Sequence, residues 1–202
     1  MGAAAMDEFR FKSMKETFEV NYEAIKVPAN NRKGYRMDYV YIGPWYVWQQ
    51  DQEQICREKR FILNACIISL VLYAAAAVQF CEVNYARLVS LAGMLSLAPF
   101  VFEVFGVFQF YFSKEKMTAQ TFSDISGKLK IAPVVHAGLL FLCAGFGIWE
   151  ILWQGYDGIQ LMIPMCYILA GAQSVMIFNH FRRLGHRKVE NTWMGSAPGN
   201  KG

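Results

Sequence analysis

The chain has 202 residues, of which 54% are hydrophobic and 18% charged, with a formal charge of +4 and a mean hydropathy of +0.20. A soluble domain usually carries about 25% charge. This composition excludes disordered and collagenous chains and fits a disulfide-stapled secreted scaffold poorly. It fits a small all-α integral membrane protein of several spans.

In chain order, the opening MGAAAMDEFRFK has no basic stretch leading into an apolar one, so no signal peptide is expected there. Met6 stands where a myristoylation motif wants Ser or Thr. Residues 1–56 read as a cytoplasmic segment distinct from the rest of the chain. Phe18, Val20, Tyr22 and Ala24 alternate with Thr17, Glu19, Asn21 and Glu23, and Tyr35, Met37, Tyr39 and Tyr41 alternate with Arg36, Asp38 and Val40. Period-two alternation predicts strands, and the Pro-, Asn- and Gly-containing stretch Pro28–Gly34 predicts the turn between them. The expectation is a β-hairpin, followed by an aromatic knot at Ile42–Trp48 and a helix from Asp51 that runs into the membrane. A lone hairpin is marginal in water. Tyr39, Tyr41, Trp45 and Trp48 are therefore the candidate partner contacts. A cap over the inner mouth of the bundle is the competing reading.

Residues 57–181 hold four apolar stretches, Phe61–Phe80, Leu88–Phe112, Ile131–Trp153 and Ile159–Phe181. Each reaches the roughly 20 residues that a helix needs to cross a bilayer. Glu103 and Glu150 are the only carboxylates inside them. The short connections Cys81–Arg87 and Gln154–Gly158 predict two antiparallel hairpins of helices. The linker Ser113–Lys130 places Met117, Phe122, Ile125 and Leu129 at helical spacing, which predicts a surface-lying amphipathic helix. Residues 182–202 form a basic cytoplasmic tail. Every Lys and Arg except Arg87 falls before the first span, in this linker or after the fourth span. The excess of Lys and Arg on cytoplasmic loops then puts both termini inside a plasma membrane. Trp149, Trp153, Tyr156 and Tyr85 read as aromatic anchors at the outer interface.

Three spans carry polar stripes. Gly93, Ser96, Glu103 and Gly106 lie on one side of the second; His136, Cys143, Gly147 and Glu150 line the third; Cys166, Ala170, Gln173 and His180 line the fourth. At 1.5 Å per residue Glu103 lies about 13 Å and Gln173 about 12 Å from the inner end, so these two are level, with His136 about one helical turn nearer that end and within reach through a water. A charged carboxylate at the bilayer centre costs about 2.5–3.5 kcal/mol. Glu103 must therefore be protonated or paired, and Glu103, Gln173 and His136 form the candidate proton- or ion-binding group. Glu150, near the outer surface, is placed to meet Arg87.

The five cysteines include no CxxC pair and read as free thiols. No catalytic, cofactor or metal motif stands out, and the basic tail is explained by an anionic leaflet rather than by nucleic acid. The leading expectation is a non-enzymatic accessory or scaffold subunit of a membrane complex, working as a homo-oligomer or with a membrane partner. The alternative is a small oligomeric transporter or channel subunit using Glu103. A membrane enzyme would need an inner-face pocket built from His136, Asn179 and His180.

Overall fold

The computed structural model describes residues 20–30, 32–155 and 158–190. Phe18, Tyr156 and the tail beyond residue 190 lie outside them. Strands β1 (Tyr22–Pro28) and β2 (Tyr35–Tyr41) form an antiparallel ribbon, with Tyr22 opposite Tyr41 and Pro28 opposite Tyr35. The hairpin stands where the sequence places it, but its first strand begins four residues later than expected, because Val20 and Asn21 are helical. The Ala29 N–H donates to the Gly34 carbonyl at 3.1 Å, and Gly34 turns the chain at φ 73°, a conformation that favours glycine.

The aromatic knot is itself a strand, β3 (Trp45–Trp48), followed by helix α1 (Gln52–Ala77). A short helix α2 (Glu82–Tyr85) leads into α3 (Arg87–Tyr111). Next come strand β4 (Lys116–Thr118), the long helix α4 (Ala119–Gln154), a 3-10 turn at Gly158–Leu161, helix α5 (Met162–Arg183) and strand β5 (His186–Val189). The expected surface helix in the linker does not form separately. Met117 lies in β4 and is buried, while Ile125 and Leu129 are fully buried on the first turns of α4. Their helical spacing was real, but it belongs to an extension of the third span that packs into the core.

Strand β3 is the centre of a three-stranded antiparallel sheet, with β4 on one side and β5 on the other. This sheet joins the segment before α1, the linker after α3 and the tail after α5 at one end of the bundle. The Gln49 N–H donates to the Gly185 carbonyl and continues the β3–β5 pairing.

Among the described residues, four helices are long and apolar enough to cross a membrane. Helix α4 packs extensively against α3 and α5, and α1 packs chiefly against α5; α1 and α3 touch far less. The pairing expected from the short connections, first span with second, is thus not the dominant one. Polarity is distributed inside out. Ser69, Ser96, Glu103, His136 and Ser174 are buried, while Val71, Met94, Phe105 and Leu142 face outward. Outward apolar surface on this scale is a liability in water and is covered in lipid, so the four helices point to a membrane-embedded protein.

Candidate functional site

The core divides into two apolar clusters along the bundle axis. One, near the sheet, includes Trp48, Ile62, Val107, Phe110, Leu129 and Ile177. The other includes Tyr73, Ala92, Leu140, Cys143, Tyr167 and Ala170. On each helix a polar residue separates the two. Ser69 lies between them on α1, Glu103 on α3, His136 on α4 and Ser174 on α5. The polar residues therefore share one layer near mid-bundle.

Within that layer the Glu103 Oε2 and His136 Nδ1 atoms are 2.8 Å apart and share a hydrogen bond. The Ser174 hydroxyl is 3.0 Å from the same nitrogen. All three side chains have zero exposure. The Phe100 ring tilts over the imidazole at 4.7 Å between centroids. Ser69 joins the fourth helix by donating to the Ala170 carbonyl at 3.2 Å. With Nε2 protonated, one proton on the Oε2–Nδ1 line makes either a neutral acid beside a neutral imidazole or a carboxylate beside an imidazolium. Both arrangements have zero net charge, which removes most of the cost of putting a lone charge in the apolar interior. Two atoms of the pair, Glu103 Oε1 and His136 Nε2, are buried without a hydrogen-bond partner.

The polar stripes set His136 a helical turn from Glu103, within reach through a water; the structure brings the two into direct contact. Gln173 does not join them. It is half-buried and makes no hydrogen bond to either, and the adjacent Ser174 takes its place. The buried face of α5 includes Ile163, Tyr167, Ala170, Ser174, Ile177 and Phe181, with Pro164 and Gly171 beside them. That stripe repeats at alternating intervals of four and three, and the repeat is visible in the sequence. Weighting the polar residues Gln173 and His180 above this apolar repeat turned the expected face by about one position.

The remaining candidates separate. Glu150 is half-buried, and it forms no ion pair with Arg87 among the described residues. His180 pairs with Glu58 at 2.9 Å at the sheet end of α1 and α5, under the Phe61 ring at 4.1 Å. Asn179 is exposed. The inner-face pocket of His136, Asn179 and His180 therefore does not form, because each histidine has its own carboxylate at a different depth. Glu58 escaped the sequence reading because it precedes the apolar stretch by only three residues and looks like ordinary interfacial charge.

Of the four candidate partner contacts only Tyr39 is exposed. Tyr41 donates its hydroxyl to the Pro44 carbonyl at 2.7 Å and accepts from the Ala119 N–H at 2.9 Å. Burial raises the Tyr41 hydroxyl above its ordinary value of 10.0, with the Ala119 N–H acting in the opposite direction. Trp45 packs edge-on against Tyr41 at 5.0 Å, and Trp48 is buried against Phe110, Phe122 and Phe181. These three bind the sheet end of the chain to itself. Directly opposed residues share a face of a ribbon, so the face carrying Tyr39 also carries Tyr35 and Met37 with Ala24, Lys26 and Pro28. Tyr35, Met37 and Tyr39 are 40%, 47% and 57% exposed.

Comparison with known protein families, with curated proteins and with solved structures finds no match for this chain.

Proposed function

We propose that this chain is a non-enzymatic accessory or scaffold subunit of a membrane complex, with the β1–β2 ribbon as its docking arm. It lies in the plasma membrane with both termini cytoplasmic, a placement that the distribution of Lys and Arg supports. The observation that carries the reading is the exposed Tyr35–Met37–Tyr39 row on a two-stranded ribbon. Aromatic residues and methionine are enriched in protein interfaces, where they bury large area at low entropic cost. The partner is a second copy or another membrane protein that covers this row. The polar layer fits the same reading, since a pair sealed at zero exposure beneath the tilted Phe100 ring ties helices together. The triple variant Y35S/M37S/Y39S tests it by native gel electrophoresis of gently solubilised membranes. The wild-type chain is expected to run in an assembly well above 23.1 kDa, and the variant to fall to a smaller species while keeping its helix content. An unchanged assembly in the variant contradicts the proposal.

The two unpartnered atoms of the buried pair favour a second reading, a small oligomeric transporter or channel subunit. Here Glu103 and His136 exchange a proton or cation across a dimer. In liposomes carrying the purified protein, Glu103→Gln would then abolish pH- or cation-driven flux. Full-rate flux in the variant removes this reading.

A further inference from the structure

At the sheet end, a cavity of about 320 Å³ opens between α4, α5, β3 and β5. Helix α4 lines it with Phe122, Ser126 and Lys130, which recur every four residues and so share one face. From α5 and the strands come an apolar floor that includes Trp48 and Phe181, and the cationic Arg182. Lys130 and Arg182 are exposed, and neither makes an ion pair among the described residues. Two residues lining it carry buried donors that have no partner among the described residues, the Trp48 indole N–H and the Ser126 hydroxyl. Their residues are only 8% and 7% exposed. Buried polar groups in native proteins almost always have partners. Two such orphans and two unpaired cations around one cavity call for an anion that accepts hydrogen bonds. No carboxylate is among the described residues lining it.

Position identifies the anion's carrier. Lys130 is the last residue before the apolar stretch starting at Ile131, and Arg182 is the first after the stretch ending at Phe181. Both cations thus stand at the depth where a bilayer places its phosphates, and basic pockets between helices at that level hold acidic headgroups. The aromatic floor suits the glycerol and upper acyl segments of the same molecule.

We propose that this cavity is a binding site for a phosphate group, supplied by an acidic glycerophospholipid. Lys130 and Arg182 neutralise the phosphate, and Trp48 Nε1 and Ser126 Oγ donate to its oxygens. The test is native mass spectrometry of the full-length chain in detergent, titrated separately with phosphatidylglycerol, phosphatidylcholine and inorganic phosphate. Wild type is expected to retain phosphatidylglycerol about tenfold better than phosphatidylcholine, and K130Q/R182Q to lose that preference. R183Q/K188Q removes equal charge from the same end but outside the cavity, and it should keep the preference. S126A removes a hydroxyl and no charge, so it still tests the site if the double variant misfolds; it should weaken retention several-fold. Saturable binding of inorganic phosphate, lost in K130Q/R182Q, would support the phosphate site and assign it to a soluble ester. Equal retention of both lipids by wild type, or equal losses in the two double variants, would overturn the proposal.

Discussion

At the residue scale, the Glu103–His136 pair is the most informative feature. Removing one member of a buried pair strands the other without compensation, which typically costs 3–5 kcal/mol. Interhelical hydrogen bonds in membranes average only about 0.6 kcal/mol. The two figures separate two substitutions. Glu103→Ala should destabilise the bundle by about 3 kcal/mol, since it leaves His136 Nδ1 with Ser174 alone and opens a void. Glu103→Gln should cost about 1 kcal/mol or less, since an amide can still bond Nδ1 at 2.8 Å. Unfolding in mixed detergent micelles measures both. That the polar stripes converge was legible in the sequence, but the direct Glu103–His136 bond was not, because depth along the spans sets Gln173 level with Glu103 and leaves His136 one turn away, within reach through a water. Nor was the third member of the group. Gln173 and Ser174 are adjacent, and only the four-three repeat of apolar residues on α5 says which of them faces inward.

At the element scale, the sheet decides how the segments before, between and after the helices are held. Strand β5 has four residues, all exposed, and β4 has three. Strands this short have little alternation to detect, and they exist because β3 offers both edges. That is why the aromatic knot was visible as a composition but not as the centre of a sheet. The hairpin was legible because seven-residue strands with a glycine turn carry their own signal. Its base is joined to α4 through Tyr41, whose hydroxyl bonds both Pro44 and Ala119. Tyr41→Phe leaves the Ala119 N–H and the Pro44 carbonyl unpaired and should cost about 1–2 kcal/mol. Hydrogen exchange at Ala119 should rise in that variant. Because burial raises the Tyr41 hydroxyl above 10.0 in the folded chain, the unfolded chain ionises first as pH rises. The anchor's contribution is therefore complete below pH 10.0 and is lost as pH climbs through the raised value.

At the scale of the whole molecule, two constraints agree. Lys and Arg avoid both short connections apart from Arg87, and the three-stranded sheet gathers the three remaining segments at one end of the bundle. A chain whose helices cross in alternation must bring those segments to the same side, and the strand pairing agrees with that threading. The number of long apolar helices was legible because length and apolarity are local properties. The packing order was not. Which helix meets which depends on close approaches such as Gly171 against the Phe141 ring and Gly106 against Leu129, and short connections are a weak guide to that. The central claim is that four helices cross a plasma membrane with the sheet inside. In a cysteine-free background, single cysteines at Glu82 and at Lys188 can be exposed to an impermeant maleimide on intact cells. The cysteine at Glu82 should react at once and the one at Lys188 only after the membrane is opened. Labelling of the Lys188 position from outside, with the Glu82 position shielded, would contradict that arrangement.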